Sequence, residues 1–137
     1  MTVLDDRVEQ EVTIAAPRTL VWEFFTDADR LVQWKGTSAV LDPRPGGVYR
    51  CVISDQAVVV GEYLSVSPYD EVSFSWGWEG DPLVPPGSST VTVTLTDVPE
   101  GTFVRLVHTG LPHPRLDLHE EGWARYLPGL VSAAAAG

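Results

Sequence analysis

The stretch HEEGWARYLPGL, residues 119–130, combines the apolar spacing of a helix with two residues that disfavour one. Trp123, Leu127 and Leu130 recur at helical intervals and can cover a sheet, with Tyr126 beside them. Gly122 and Pro128 cost about 1 and 3 kcal/mol, respectively, relative to alanine inside a helix. Because the segment contains both residues, we expect the conformation of this helix to depend on its packing against the sheet.

Each of the two unfavourable residues has a specific structural consequence. Gly122 allows either close packing of the helix on a sheet or space for a ligand, and close packing is the slightly favoured interpretation. Pro128 removes one backbone hydrogen bond and clashes with the carbonyl group of Ala124. The sequence therefore predicts a kink or break over residues 124–128.

Ahead of this helix, the pattern of apolar residues is mostly that of strands. Residues 7–16 alternate between polar and apolar, and Pro17 then opens two short apolar helices. Short turns separate the later alternating segments, which predicts an antiparallel sheet of hairpins. These segments are TSAVLD, VYRCVIS, AVVVGEYLSVS, EVSFSWGW, TVTVTLTD and TFVRLVHTG. One long helix must cover one face of such a sheet, so the predicted fold class is α+β.

Length and composition narrow the possible functions. A chain of 137 residues is expected to form one domain over residues 1–137. Its 19 acidic and 9 basic residues give a formal net charge of -10, which argues against nucleic acid and anionic membranes as partners. The single cysteine, Cys51, is expected to be a small buried residue. With no apolar leader and no apolar run of about 20 residues, a cytoplasmic location is the default expectation.

The segment EVSFSWGW carries the largest aromatic residues of the predicted sheet. Phe74, Trp76 and Trp78 lie on one face of that strand, which must point under the helix. Core packing is the favoured interpretation for Phe74. For Trp76 and Trp78, core packing and the wall of an apolar cavity stay equally open.

The last strand places Leu106 and His108 on one face together with Val104. If this face points inward, His108 reaches the end of the sheet where a cavity would lie. The commoner role of such a histidine is structural, satisfied by a neighbouring polar group, and the alternative role is to orient a ligand. The three histidines of the chain do not have the spacing of a metal site.

No standard catalytic signature occurs in the sequence, neither a GxSxG elbow nor a phosphate-binding glycine loop. We therefore predict no catalytic residue, metal or cofactor. Glu62, within an otherwise apolar strand, is the one carboxylate that could face inward, although an outward orientation is expected. An enzyme would need Glu62 and His108 in the same cavity.

Several segments together resemble the AHSA1-like (Activator of Hsp90 ATPase homologue 1-like) proteins of the START/SRPBCC helix-grip superfamily. These are residues 16–34, DPRPGG at 42–47, residues 60–78, VRLVHTGLP at 104–112 and HEEGWARYLPGL. The resemblance implies a curved antiparallel sheet of about six to seven strands around a long C-terminal helix. Two short helices follow the first strand. Gly122, Trp123 and His108 fall on hallmark positions of the family, whereas Pro128 departs from its usually uninterrupted helix.

The resemblance also implies a function, because members bind lipids, polyketides or other hydrophobic molecules between sheet and helix. We expect a small hydrophobic ligand in such a cavity, with a cyclase or hydrolase activity as the alternative. Hsp90 regulation is not favoured, since co-chaperones of this name carry a further N-terminal domain and six residues precede the first predicted strand. The chain is expected to be a monomer or homodimer. The candidate cavity residues are Phe74, Trp76, Trp78, Leu106, His108, Gly122, Trp123, Tyr126, Leu127 and Glu62.

Overall fold

A computed structural model describes residues 7–137, and the order of elements in it confirms the predicted α+β arrangement. One strand, two short helices, six strands and a long helix follow one another. Their bounds are β1 Arg7–Ile14, α1 Arg18–Thr26, α2 Ala28–Leu31, β2 Ser38–Leu41, β3 Val48–Ser54, β4 Ala57–Ser67, β5 Glu71–Trp76, β6 Ser89–Val98, β7 Gly101–Thr109 and α3 Leu116–Ala136. A short 3₁₀ turn, His113–Arg115, leads into α3.

The strands form one antiparallel sheet in the order β1-β7-β6-β5-β4-β3-β2. Strands β2 to β7 pair as successive neighbours, and β1 adds to the outer edge of β7. Register shifts interrupt the pairing of β3 with β4 and of β4 with β5. Bulges of this kind bend a strand and increase its twist. The sheet consequently curves around α3, which is the predicted helix-grip arrangement.

Alternating burial along the strands puts the predicted residues inside. In β7, Val104, Leu106 and His108 are buried, while the residues between them are partly exposed. In β5, Phe74 and Trp76 are buried on the same inward face. The inward face of the sheet therefore continues the apolar core up to the end that carries His108.

Two buried side chains donate hydrogen bonds to the backbone of α1. The Trp34 indole nitrogen donates to the carbonyl oxygen of Phe24 at 3.0 Å. The Tyr63 hydroxyl, from the centre of the sheet, donates to the carbonyl oxygen of Phe25 at 2.9 Å. Both acceptors lie near the end of α1, where carbonyl groups lack helical partners. Helix α1 is thereby fixed to the sheet, and the chain after α2 is fixed to α1.

Helix α3 runs unbroken through Pro128, so of the predicted kink or break the break does not occur and the kink stays a prediction. Pro128 and Ala124 are both exposed. The carbonyl group of Ala124 that loses its helical partner is therefore on the side of the helix where water can bond to it. The opposite face is buried through His119, Trp123 and Leu127. Contact of this face with the sheet stabilises the helix despite the proline.

We predict that Pro128→Ala raises the free energy of unfolding by roughly 1–3 kcal/mol, because alanine restores the hydrogen bond to Ala124 at an exposed helical site. Chemical denaturation of both proteins measures the difference. An unchanged or lower stability would show that the proline is favoured by contacts other than those of the helix backbone.

Candidate functional site

An apolar cavity of about 70 Å³ lies between the sheet and the first half of α3. Its wall is formed by residues of β3, of the end of β5 and the loop after it, and of α3, together with Lys35. The lining residues are Lys35, Ile53, Trp76, Trp78, Leu118, His119, Gly122, Trp123 and Tyr126. Leu118 is 58% exposed and marks the rim, whereas Lys35 is 2% exposed. The cavity therefore extends from solvent to a buried amine.

Half of the residues proposed from the sequence line this cavity, namely Trp76, Trp78, Gly122, Trp123 and Tyr126. At Gly122, a side-chain Cβ atom would meet nothing within 4 Å. The favoured interpretation of this glycine as a close-packing position is therefore wrong, and it leaves open space instead.

Three other proposed residues lie in the core and not in the cavity wall. Phe74 stacks on the ring of Tyr49, with ring centroids 4.1 Å apart. Leu106 and Leu127 are buried within the same apolar core. Periodicity places these residues on the inward face, but it does not distinguish a wall of a cavity from solid packing.

Glu62 and His108 do not share a cavity. Glu62 is exposed, and its neighbour Tyr63 faces the core. His108 is fully buried inside the sheet. The two side chains lie on opposite faces, so the alternative in which they act as an acid and base pair is wrong. The period of two in a strand explains the outcome, because Tyr63 takes the inward position.

His108 is held by a hydrogen bond at each ring nitrogen. The indole nitrogen of Trp123 donates to Nδ1 at 3.1 Å. Since an indole N–H can only donate, Nδ1 carries no proton and Nε2 carries one. The Nε2–H group then donates to the Ser89 hydroxyl at 2.8 Å, and that hydroxyl donates to the carbonyl oxygen of Trp76. His108 is therefore a neutral structural residue that anchors α3.

His119 has the same kind of partner but the opposite tautomer. The indole nitrogen of Trp78 donates to its Nε2 at 2.9 Å, which leaves Nδ1–H to donate to the carbonyl oxygen of Arg115. The rings of His108 and His119 are 5.3 Å apart. Among residues 7–137, no three potential ligand side chains come together as a metal site requires.

Burial controls the charge of both imidazoles. It lowers the pKa of His108 from 6.5 to about 2, with smaller contributions from His119 and Lys35. Burial also lowers the pKa of His119. Neither ring can take a proton without losing its bond from a tryptophan, so both stay neutral near pH 7.

Lys35 is the functional candidate that sequence reasoning missed. Its Nζ atom lies 3.9 Å from the ring centroid of Trp76 and 4.8 Å from that of Trp123. The Tyr49 hydroxyl is 3.2 Å away. In the described part of the chain, no carboxylate lies within salt-bridge distance of Nζ. Lys35 is the only lysine in the sequence, but no neighbouring residue indicates its burial.

Local structure forces this lysine inward. Trp34, directly before it, is fixed by its bond to α1. Gly36, directly after it, has a φ of 83°, a conformation that side chains disfavour. A Cβ atom at Gly36 would lie 2.6 Å from the carbonyl oxygen of Val52. The chain therefore turns tightly against β3 at this point and directs Lys35 under α3.

Burial without a countercharge alters the titration of this amine. It lowers the pKa of Lys35 from 10.5 to about 7. Burial likewise keeps the pKa of the Tyr49 hydroxyl well above 10.0. Near neutral pH, a large fraction of Lys35 is thus an uncharged amine beside a protonated phenol.

The curved antiparallel sheet, the long C-terminal helix and the cavity between them define a helix-grip protein of the START/SRPBCC type. More specifically, the chain belongs to the family of Activator of Hsp90 ATPase homolog 1-like proteins, whose sequence model matches residues 15–135. No curated protein sequence matches the chain. None of the helices within residues 7–137 has the length and hydropathy needed to cross a bilayer.

Solved structures agree with this assignment. The AHSA1-like protein of Rhizobium etli is 39% identical, with a TM-score of 0.74 over 94% of this chain and 81% of that one. Protein MLL2253 of Mesorhizobium loti is 26% identical, with a TM-score of 0.82 over 93% of this chain and 95% of that one. DynU16, a protein of the dynemicin biosynthetic locus, is 29% identical, with a TM-score of 0.81 over 93% of this chain and 46% of that one.

We predict that Lys35→Met increases stability, and does so more at low than at high pH. The pKa of the lysine is lowered by folding, so its cost is complete below pH 7 and disappears as the pH rises from about 7 to 10.5. Near pH 7 the gain should be roughly 2–4 kcal/mol. Denaturation of both proteins at about pH 6 and pH 9 tests this, and an equal gain at both pH values would contradict it.

We predict that the two buried histidines are neutral in opposite tautomers near pH 7, and that His108 stays neutral at about pH 5. Nitrogen NMR of the imidazole rings should show the proton on Nε2 of His108 and on Nδ1 of His119. The pKa of His108 is lowered by folding, so stability is present above pH 6.5 and falls by about 1.4 kcal/mol per pH unit below it. Doubly protonated rings in the folded protein would refute the prediction.

Proposed function

We propose that this protein binds a small hydrophobic molecule in the cavity between the sheet and α3. The observation that carries the proposal is the open apolar space at Gly122. Glycine costs about 1 kcal/mol relative to alanine inside a helix. At this position it meets no atom that would require its small size, so the glycine keeps space open instead of allowing close contact.

The dimensions of the cavity limit the part of a ligand that it can hold. An engineered apolar cavity of about 150 Å³ in another protein accommodates benzene. The present cavity has about half that volume. It is suited to an alkyl chain or a slender group that enters past Leu118, with the remainder of the molecule at the rim.

The relatives support a ligand of this class without identifying it. DynU16 belongs to a biosynthetic locus for a natural product, which is a context that supplies hydrophobic small molecules. The family name refers to activation of the Hsp90 ATPase. The cavity gives no specific support for that role, and a chaperone partner remains the less favoured prediction. A monomeric or homodimeric state also remains a prediction.

We predict that Gly122→Leu weakens binding of 1-hexanol by roughly tenfold or more, a loss of at least about 1.4 kcal/mol. The leucine side chain would occupy the space that the alkyl chain enters. Titration followed by tryptophan fluorescence measures the affinity, because Trp76, Trp78 and Trp123 line the cavity.

Ala124→Leu provides the matched control, because it adds the same side chain at an exposed position of the same helix. It should bind 1-hexanol like the unmodified protein. Saturable binding that is equally strong in both variants would place the ligand elsewhere. If the unmodified protein shows no saturable binding, the proposed function is wrong for alkyl ligands.

A further inference from the structure

We propose that Lys35 is a nucleophile that captures an apolar aldehyde or ketone as a Schiff base within the cavity. This inference rests on the proposed function, since the carbonyl compound must enter the same apolar space. It goes further by assigning a chemical class to the ligand and a covalent step to a named atom, Nζ of Lys35.

The first argument is the position of the amine. Lys35 is 2% exposed, yet it lines a cavity whose rim reaches solvent at Leu118. A ligand that enters past Leu118 with its polar end foremost therefore brings that end to Nζ. The remainder of the wall is almost entirely aromatic and aliphatic, which suits the hydrocarbon part of such a ligand.

The second argument is the lack of an acidic partner. Lysine is rarely buried without one, because an unpaired ammonium group loses its hydration. Within residues 7–137, the oxygen that bonds Nζ is the hydroxyl of Tyr49. The faces of Trp76 and Trp123 compensate the ammonium form only in part. A purely structural role would be served better by an apolar side chain of similar length.

The third argument is the reactivity of the group. A lysine desolvated in an apolar pocket is a common way of obtaining an amine nucleophile at neutral pH. Burial lowers the pKa of Lys35 to about 7, so about half of the molecules hold the free amine at that pH. The neighbouring phenol of Tyr49 stays protonated and can both accept and donate a proton.

These groups account for each bond and proton of the condensation. The lone pair of Nζ attacks the carbonyl carbon, and the π electrons of the C=O bond move to oxygen. One N–H proton passes to that oxygen, with Tyr49, 3.2 Å from Nζ, placed to accept it and donate its own. The hydroxyl group then leaves together with the remaining N–H proton as water, and the C=N bond forms. No oxidant or reductant is needed, and hydrolysis reverses the step.

A carboxylate ligand that pairs with the ammonium form is the competing interpretation. Such a ligand would have to enter an apolar cavity of a chain with a formal net charge of -10. A neutral carbonyl compound enters without losing the hydration of a charge. The hydroxyl of Tyr49 beside the amine also matches the proton transfers of imine formation. The observations therefore favour the carbonyl class.

The test uses hexanal, which matches 1-hexanol in its alkyl chain and differs in carrying a carbonyl group. The protein is incubated with hexanal and cyanoborohydride, which reduces an imine to a stable secondary amine, and its peptides are mapped by mass spectrometry. We expect N-hexyl-lysine at residue 35, which is the only lysine. At about pH 6, the free-amine fraction of Lys35 is roughly five- to ninefold that of an ordinary α-amino group, so Lys35 should be labelled in preference.

Three variants test the covalent step. Lys35→Met removes the proposed nucleophile, and intact-mass analysis should then show labelling of the α-amino group alone. Ala124→Leu, at an exposed position outside the cavity, should be labelled at Lys35 like the unmodified protein. Tyr49→Phe should form the adduct several-fold more slowly, because the phenolic proton relay is lost. Protein unfolded in urea provides the rate for a lysine outside the cavity.

The outcomes distinguish the two proposals. If 1-hexanol binds but Lys35 reacts no faster than in unfolded protein or than the α-amino group, the Schiff base is refuted and hydrophobic binding stands. If hexanoate binds more tightly than hexanal and no adduct forms, the carboxylate interpretation replaces ours. If Lys35 is labelled selectively but 1-hexanol does not bind, carbonyl capture is supported and general hydrophobic binding is wrong.

Discussion

The hydrogen bond from the Trp123 indole to His108 is the interaction on which the site depends. It begins a series that continues through the Ser89 hydroxyl to the carbonyl oxygen of Trp76, and so joins α3 to β7, β6 and β5. Every member donates once to the next, which is possible only while the imidazole is neutral. Satisfied buried networks of this kind specify a single arrangement of the elements that they join. Here that arrangement is the position of α3 on the sheet.

The same series fixes the shape of the cavity. It holds Trp123 and Trp76 next to each other, with ring centroids 5.0 Å apart and with Nζ of Lys35 over both rings. A second bond of the same type, from Trp78 to His119, fixes the preceding turn of α3. Two of the aromatic walls, Trp78 and Trp123, are thus held by hydrogen bonds from their indole groups, while Gly122 supplies open space at the same face of α3. Such walls preserve an unfilled space that flexible side chains would close.

The sequence was sufficient for the fold because the fold depends on periodic patterns. The alternation of polar and apolar residues in β6 and β7, and the helical spacing of apolar residues from Trp123 onward, are visible within short segments of sequence. The structure agrees with both patterns. The helix continues past Pro128 where a break was one expected outcome, because the sequence does not show that Ala124 faces solvent. Lys35 was missed because its burial results from distant residues, Tyr49 and Trp123 above all. Nothing within a few positions of a lysine indicates which rings will surround it after folding.

Two residues that reduce stability, Lys35 and Gly122, lie at the same cavity, and this association argues for function. A buried ammonium group and a helical glycine each reduce stability, in a class of molecules whose total stability is only about 5–15 kcal/mol. Departures from local rules are expected where function requires them. Packing alone explains neither residue, since Gly122 meets no neighbour and Lys35 meets no acid in the described chain. An apolar ligand with a reactive carbonyl group explains both, because one residue provides the space and the other the nucleophile.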